Sequence, residues 1–213
     1  MTEYLKWAEK QSETITAKKA ENFYNTGFVL TRKPKYTFQQ TQSLRINLCD
    51  FENSSENRRI LRKNEGLKII KAQIPYLEYK WQIGKLAKDF YDQKFGQKIF
   101  SANKVKEILT GDGAFNTLLI YKKDNVVIGY TICFETDKII HYSYPFYNLG
   151  TDRDTGLGMM LLAINNAHNQ GKEFIYLGSY QRLTDSYKLQ FKGLEFFEKD
   201  TGWKKYPDFK PKI

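Results

Sequence analysis

The segment RDTGLGM, from Arg153 to Met159, carries residue types that can hold an anion. It has two glycines, Gly156 and Gly158, at the predicted start of a helix. Glycine lets a backbone approach a ligand closely, and a helix N-terminus offers free N–H groups and the positive end of a dipole. We therefore expect a phosphate-bearing ligand here, although a purely structural turn remains the alternative. The predicted phosphate-binding residues are Arg153, Thr155, Gly156, Leu157, Gly158 and Met159.

The same pattern makes a prediction about Gly158→Glu. The new side chain would add bulk and a repelling charge where the anion sits, so the affinity for that phosphate-bearing ligand should fall by about tenfold or more, or about 1.4 kcal/mol. If the turn is exposed, the folded state should be little affected.

A second candidate site is the basic run NRRILRKNEGLKIIK, from Asn57 to Lys71, in a chain of net charge +10 and pI near 9.3. A cationic helix that neutralises phosphates releases counterions and so binds nucleic acid. A solvated helix face is the other interpretation. The predicted nucleic-acid-binding residues are Arg58, Arg59, Arg62 and Lys63.

Composition excludes several classes of protein. The sequence has no apolar run of about 18 residues and its start lacks the apolar region of a signal peptide, so we expect neither a membrane span nor secretion, and a cytoplasmic location. Cys49 and Cys133 are expected to be buried free thiols. His141 and His168 are the only histidines, and no metal site is expected.

The elements that must position these residues follow from periodicity and capping signals. In the first half, the pattern predicts a helix, three strands, the basic helix and a further strand. A long amphipathic helix that starts near Pro75 is predicted next. The second half predicts a three-strand meander, a helix from about Thr155 to Gln170, a strand, a helix at about 185–192 and a last strand, followed by a solvated C-terminal segment. The other predicted ranges are 16–24, 28–31, 36–40, 43–49, 54–64 and 67–74.

This alternation predicts one α/β fold: a mixed, mainly antiparallel sheet with helices on both faces, preceded by a small α/β region. The sequence contains no Pro/Ser linker between its halves. Any boundary is therefore tight and near Gly66, between a small N-terminal region, 1–65, and a larger second domain, 66–213.

The order of elements and the RDTGLG turn resemble the GCN5-related N-acetyltransferase superfamily. Its pattern of Gln or Arg, two variable residues, Gly, one variable residue, then Gly or Ala is matched by Arg153, Gly156 and Gly158. In that superfamily the pattern wraps a pyrophosphate, so the resemblance implies the same fold and an acyl-CoA donor.

A more extended resemblance is to the N-end rule aminoacyl-tRNA–protein transferases, the arginyl- and leucyl-transferases. It runs through SSENRRILRKNEGL, YPFYNLG and YLGSYQRLTDSYKLQFKGLEFF in the family's order, over roughly Phe23 to Trp203. The cysteines that bacterial and eukaryotic members carry near the N-terminus are absent except for Cys49. The resemblance implies aminoacyl-tRNA as donor and a protein N-terminus as acceptor.

The chemistry of that reaction suits this composition. Aminolysis of an aminoacyl ester by an α-amine, whose pKa is about 7.7 to 8.0, needs neither a Ser-His-Asp array nor a metal. It needs positioning, proton transfer and oxyanion stabilisation. The candidate catalytic residues are Tyr187 at the leaving hydroxyl, Tyr144 or Tyr180 at the acceptor channel, and Lys188 at the acceptor's acidic side chain or the tRNA end. His141 is interpreted as a structural histidine.

The sequence therefore predicts transfer of Arg or Leu from aminoacyl-tRNA to a protein α-amine, with no further cofactor. The first alternative is an N-acyltransferase that uses acetyl-CoA, and the second is a non-catalytic RNA- or protein-binding module on the same fold. Fold alone does not decide between them.

Overall fold

A computed structural model describes residues 5–207, apart from the side chain of Thr184. The strands are β1 (Ala8–Ser12), β2 (Phe28–Leu30), β3 (Tyr36–Gln40), β4 (Ser43–Asn47), β5 (Lys68–Gln73), β6 (Thr117–Lys123), β7 (Val126–Glu135), β8 (Ile139–Tyr147), β9 (Phe174–Ser179), β10 (Leu194–Glu198) and β11 (Gly202–Lys205). The helices are α1 (Ala17–Asn25), α2 (Ser55–Lys63), α3 (Trp81–Phe95), α4 (Ala102–Thr110) and α5 (Thr155–Asn169), with 3₁₀ turns at Leu48–Asp50 and Leu183–Gln190.

The strands form a small sheet in the order β1-β3-β2 and a large one in the order β11-β10-β4-β9-β8-β7-β6-β5. In the large sheet, β8 and β9 are parallel, with Ile139–His141 opposite Phe174–Tyr176. The pairs β10–β11, β4–β10, β4–β9, β5–β6 and β6–β7 are antiparallel. The predicted fold class, a mixed and mainly antiparallel sheet flanked by helices, is confirmed. The order implied by the acetyltransferase resemblance is also present: the meander β6-β7-β8, the glycine turn, α5, and a strand parallel to β8.

The described chain divides into two compact units, each built from separated segments. The first unit comprises residues 5–55, 135–141 and 165–207, and the second comprises 56–134 and 142–164. The predicted division into 1–65 and 66–213 stays a prediction about domains.

In the first unit, β4 lies between β9 and β10. Leu44 and Ile46 of β4 are fully buried, together with Tyr176 of β9 and Phe196 of β10. Because apolar side chains from three strands are removed from water together, burial stabilises this arrangement of strands. Arg45, also on β4, pairs with Glu195 at 2.7 Å.

In the second unit, β5 to β8 carry helices α2, α3 and α4 and the start of α5. Leu118 on β6, Ile132 on β7 and Phe146 on β8 are fully buried. Apolar residues at helical spacing on α4, Val105 and Leu109, are also completely buried. This unit carries both the basic run and the glycine turn.

The long helix predicted from Pro75 begins later, so that prediction was wrong by about six residues. The Tyr76 N–H donates to the Leu109 carbonyl at 2.7 Å, and the Tyr79 N–H donates to Tyr76 in a turn. These bonds keep the segment before Trp81 out of the helix.

Several short elements were not predicted. β1 and α4 were missed, although Ser101 caps α4 by accepting from the Lys104 N–H. The predicted helix at 185–192 is a 3₁₀ helix at Leu183–Gln190. Part of the C-terminal segment expected to be solvated forms β11, which pairs with β10, while residues 208–213 lie outside the described residues.

Cys133 is buried as expected, but Cys49 is exposed, so the prediction that both thiols are buried was wrong for Cys49. Asn47 accepts from the Cys49 N–H and begins a 3₁₀ turn after β4, and this turn leaves the Cys49 side chain in solvent.

No helix within residues 5–207 is long and apolar enough to cross a bilayer.

Candidate functional site

The glycine turn lies where β8 ends and α5 begins, in the second unit. The Thr155 N–H donates to the Asp152 carbonyl at 3.0 Å, and the Gly158 N–H donates to the Asp154 carbonyl at 2.9 Å. The amide of Gly158 is therefore used inside the helix and is not available to a phosphate. Arg153 is exposed at the tip of the turn, whereas Met159 is fully buried.

The two glycines give space to other side chains of the unit. A Cβ at Gly158 would lie 2.4 Å from Cγ of Asn64, and a Cβ at Gly156 would lie 2.5 Å from the hydroxyl of Tyr147. The absence of a Cβ lets α2 and β8 approach α5 closely. Gly158→Glu was expected to leave folding little affected if the turn is exposed, and that condition is not met, because Gly158 is buried against Asn64.

The basic helix α2 reaches the same turn. The Lys63 Nζ lies 3.0 Å from the Asp154 carboxylate, and Arg59 lies 4.0 Å from that carboxylate. Arg59 also forms a two-point contact with Glu56 at 2.6 and 2.7 Å. Two features predicted separately, the tRNA-binding helix and the donor-binding turn, therefore form one surface. We call Arg58, Arg59, Arg62, Lys63, Arg153 and Asp154 the basic surface.

Asp154 is the member of this surface that sequence reasoning missed. The hydrogen bond from Lys63, followed by the charges of Lys63, Arg59 and Arg153, lowers the pKa of Asp154 below its usual value. Its carboxylate is thus ionised and competes with any incoming anion for these cations. Its position immediately before the first helical residue, where acids are favoured, was the available signal.

Within the basic surface, the four predicted tRNA-binding residues differ in exposure. Arg58, Arg62 and Lys63 are exposed and Arg59 is partly buried. Arg59 and Lys63 are partly neutralised by their acids. Arg62 and Arg153, which form no ion pair with any described residue, therefore carry the larger share of cationic charge that can meet phosphates.

The first unit holds the other group of predicted residues, around Lys188. This lysine is half-buried and its Nζ donates to the Ser179 carbonyl at 3.1 Å. Burial lowers the pKa of Lys188, and the charge of Asp185 partly opposes that shift. The Asp185 carboxylate itself accepts from the backbone N–H groups of Gln181 and Arg182.

Among the described residues, no carboxylate lies within ion-pair distance of the Lys188 Nζ. A half-buried cation without an acid partner is unfavourable for stability, and such groups concentrate at functional sites. This is the strongest indication of chemistry in the first unit.

His141 lies beside Lys188 and is fully enclosed. Its Nδ1 is 2.8 Å from the Tyr24 hydroxyl. Burial first, and then the charge of Lys188, lowers the pKa of His141 to about 3, so the ring is neutral at pH 7. The interpretation of His141 as a structural histidine agrees with this bond. Sequence reasoning missed Tyr24, which no local pattern connects to a residue more than a hundred positions away.

The three candidate tyrosines do not form one group. Tyr187 is 44% exposed, next to Lys188, whose Nζ lies 5.9 Å from its ring centroid. Tyr180 is buried, and its pKa is raised by burial and by Asp185. Tyr144 belongs to the second unit, where its ring packs on Phe100 and Phe115. We call Tyr24, His141, Tyr180, Asp185, Tyr187 and Lys188 the lysine cluster.

No group of three or more His, Cys, Asp and Glu side chains in the described part of the chain could hold a metal ion. The lysine cluster can hold an anionic group and orient hydroxyls, and the basic surface can hold phosphates.

Comparison with known proteins gives structural similarities only. No family model and no curated protein matches the sequence. The structure of FemX is similar, with 10% sequence identity and a TM-score of 0.49. The matched region covers 82% of this chain and 63% of the FemX chain. The structure of L-PGS from Bacillus licheniformis is also similar, with 12% sequence identity and a TM-score of 0.47. The matched region covers 76% of this chain and 50% of the L-PGS chain.

A third similar structure is a GCN5-related glucosamine N-acetyltransferase region of a fungal GH3 β-N-acetylglucosaminidase, with 15% sequence identity and a TM-score of 0.45. The matched region covers 87% of this chain and 22% of the fungal chain. The chain thus spans less than two thirds of the length of each of these structures. Because all three TM-scores are below 0.5, the case for function rests on the residues described above.

Proposed function

We propose that the protein is an aminoacyltransferase that moves Arg or Leu from aminoacyl-tRNA to the N-terminal α-amine of a protein. The observation that carries the proposal is Lys188, a half-buried cation without an acid partner in the described chain. An acceptor that begins with Asp or Glu would supply the missing carboxylate.

The reaction would proceed by direct aminolysis. The neutral α-amine attacks the ester carbonyl, the C–N bond forms, and the bond to the tRNA 3′ oxygen breaks. The proton lost by the amine goes to that leaving oxygen. Tyr187, which is exposed beside Lys188, is our candidate to hydrogen-bond the leaving hydroxyl, directly or through water.

Lys188 would orient the acceptor by pairing with its acidic side chain. Burial strengthens such a pair because water competes less well for the two charges. Tyr180 would line the acceptor path near Asp185. Tyr144, which belongs to the second unit, remains a proposal for the acceptor path on the resemblance alone.

The donor would bind by its phosphates to the basic surface. The juxtaposition of Lys63 with the glycine turn supports one binding surface for the donor rather than two. In this arrangement the turn contributes Arg153 and the first free amides of α5, and the glycines allow close packing of the helices. Thr155 is buried and its N–H donates to Asp152, so its predicted role would be to hold the turn rather than to contact the donor.

The alternative proposal is an acyl-CoA-dependent N-acyltransferase. The observation that favours it is the glycine turn at the N-terminus of α5, which leads from β8 to the parallel strand β9. Asn64 and Tyr147 fill the space over the two glycines, and this weakens the alternative.

The proposal is tested by incorporation of labelled Arg or Leu from aminoacyl-tRNA into three matched peptides. These begin with a free Asp or Glu, with the same residue N-acetylated, and with Ala. We expect labelling of the free acidic peptide alone, and Lys188→Met should reduce its kcat/KM by tenfold or more while leaving tRNA binding unchanged. Equal labelling of the acetylated peptide would exclude α-amine transfer.

The two donors are separated by a thermal shift with aminoacyl-tRNA and with coenzyme A. A ligand at 100 times its Kd stabilises the folded state by about 2.7 kcal/mol. A shift with coenzyme A alone would favour the N-acyltransferase. Binding of RNA without transfer to any peptide would favour a non-catalytic module.

A further inference from the structure

Gln42, in the first unit, carries a buried polar atom that the described fold does not use. The residue is 5% exposed, and its Oε1 atom accepts no hydrogen bond from any residue of the described chain. A buried carbonyl oxygen without a donor is unfavourable for folding, and native structures keep few of them. This oxygen is therefore available to a donor on a ligand.

Gln181, which is bonded to the neighbour of Gln42, shows how a structural glutamine differs. Its Nε2 donates to the Thr41 hydroxyl at 2.7 Å, and its Oε1 accepts from the Leu5 N–H at 2.9 Å. Both ends of the Gln181 amide thus join separate segments of the chain. The Oε1 atom of Gln42 makes no such connection within residues 5–207.

The backbone holds Gln42 in a fixed position between β3 and β4. The Ser43 N–H donates to the Thr41 carbonyl at 2.7 Å, and the Tyr180 N–H donates to the Gln42 carbonyl at 2.8 Å. The second bond lies one step beyond the antiparallel pair of Ser43 with Ser179. Opposed residues of antiparallel strands share a face, with Cβ atoms about 4.5 to 5.5 Å apart. The Gln42 side chain therefore lies beside Tyr180.

One peptide group links Gln42 to Lys188. The peptide between Ser179 and Tyr180 donates its N–H to the Gln42 carbonyl, and its own carbonyl accepts from the Lys188 Nζ at 3.1 Å. With standard bond lengths, the Nζ lies no more than about 8.5 Å from the Gln42 carbonyl oxygen. An acidic amino acid has its amine and its side-chain carboxylate several ångströms apart. With a hydrogen bond of about 2.9 Å at each end, it can bridge this separation.

The charges around this peptide group suit a ligand that carries both signs. Lys188 is a half-buried cation without an ion pair to any described acid. On the other side, the pKa of Tyr180 is raised by burial and then by the charge of Asp185, so a carboxylate lies near Tyr180. A ligand carboxylate is therefore favoured at Lys188, and an ammonium is favoured at Tyr180, where Gln42 lies.

We propose that Gln42 is a specificity-determining residue that holds the α-amine of the acceptor. Its Oε1 accepts a hydrogen bond from that amine, while Lys188 pairs with the acidic side chain of the same acceptor residue. This inference rests on the proposed function and adds the contact that recognises a free N-terminus. An acetylated N-terminus would place an acetyl group against the enclosed Gln42 side chain, so it would be rejected.

Three matched ligands separate the two contacts in the full chain without any donor. Aspartyl-glycinamide has the amine and the carboxylate, succinyl-glycinamide lacks the amine, and alanyl-glycinamide lacks the carboxylate. NMR titration measures the three Kd values. We expect the wild type to bind aspartyl-glycinamide about tenfold or more tightly than either of the others, because hydrogen bonds with charged groups are strong.

Matched variants assign each preference to one residue. Gln42→Met removes the amide with little change of volume, so the preference for the aspartyl over the succinyl ligand should fall below about twofold, while the preference over the alanyl ligand remains. Lys188→Met should have the reverse effect. Gln11→Met, at an exposed position on β1, is the control and should keep both preferences.

Thermal unfolding gives a readout that a structural role would move. Because the buried Gln42 oxygen has no donor in the described chain, Gln42→Met should leave the Tm of the free protein unchanged or higher. Gln181→Met should lower the Tm, because it breaks the bonds to Thr41 and Leu5.

Two results would overturn the proposal. One is a Gln42→Met protein with the same ratio of aspartyl to succinyl affinity as the wild type, including the case in which the wild type has no preference. The other is a lower Tm for Gln42→Met. Transfer from aminoacyl-tRNA by the wild type is measured separately. If transfer is absent while the amine preference depends on Gln42, the transferase function is wrong and the amine contact stands. Transfer that occurs with an unaltered KM in Gln42→Met contradicts the contact and leaves the function.

Discussion

At the scale of single residues, the two candidate sites depend on side chains whose partners are far away in sequence. His141 is neutral because it is enclosed beside Lys188 and bonded to Tyr24. Gly158 is needed because Asn64 occupies the space where its Cβ would be. Each dependence predicts a measurable effect on the stability of the folded state.

The first residue-scale prediction concerns pH. His141 has a pKa of about 3 in the folded state, and histidine in an unfolded chain has about 6.5. Between these values the unfolded state binds more protons, so the contribution of His141 to stability falls as the pH is lowered through 6.5 towards 3. At pH 5 this amounts to about 2 kcal/mol.

Urea unfolding at pH 7 and pH 5 measures this effect. His141→Gln should lose less stability between the two pH values than the wild type, by about 2 kcal/mol. His168→Gln, at an exposed position, is the control and should behave as the wild type. An identical loss for His141→Gln and the wild type would show that His141 is not the group that titrates.

The second residue-scale prediction concerns the contact of Gly158 with Asn64. Gly158→Ala should destabilise the protein by about 1 to 3 kcal/mol, because a methyl group is forced into an occupied space. In an Asn64→Ala background the same change should cost less, since the atoms that clash are gone. Gly113→Ala is the control, because no atom lies within 4 Å of a Cβ there. Equal costs in both backgrounds, measured by chemical denaturation, would contradict the contact.

At the scale of elements, α2 is the helix whose function can be tested directly. If Arg58 and Arg62 each neutralise one tRNA phosphate, replacing both by Ala should reduce the magnitude of the log–log salt slope of tRNA binding by roughly 1.4 to 1.8 units. Lys104→Ala with Lys106→Ala, on α4, removes the same charge and should leave the slope unchanged. Filter binding at several salt concentrations gives both slopes, and an unchanged slope for the α2 variant would show that this helix does not contact the tRNA.

Elements with strong local signals could be predicted from the sequence, and their contacts could not. The meander and α5 have apolar runs and periodicity that hold over many residues, and the structure has them close to the predicted ranges. β1 and β11 are short and largely exposed or half-exposed, so no alternation marks them. The start of α3 depends on a bond from Tyr76 to Leu109, which no local pattern contains.

In the candidate sites too, local features could be predicted from the sequence, whereas contacts between distant residues could not. The sequence predicted both parts of the basic surface, because charge runs and glycine turns are local features. It did not predict that Asp154 lies between them, since that depends on the approach of α2 to α5. It also did not predict that Lys188 has no ion pair with an acid of residues 5–207, because Asp185 is only three residues away and its carboxylate accepts from backbone amides instead.

At the scale of the whole molecule, charge and chain order are the dominant features. The surplus of 34 basic over 24 acidic residues creates a field that attracts polyanions at long range, and salt screens it. This field would speed the encounter with tRNA without deciding which tRNA is bound. On the proposed function, the choice of donor would fall to the short-range contacts of the basic surface.

The position of β4 has a consequence for how the protein is made. This strand ends at Asn47, but the strands on both its sides, β9 and β10, begin at Phe174 and Leu194. A ribosome adding 5–20 residues per second needs on the order of ten seconds to synthesise the intervening chain. During that interval the apolar side chains of β4 have neither neighbour, so the nascent chain exposes an unpaired strand to chaperones, and to other nascent chains in the cell.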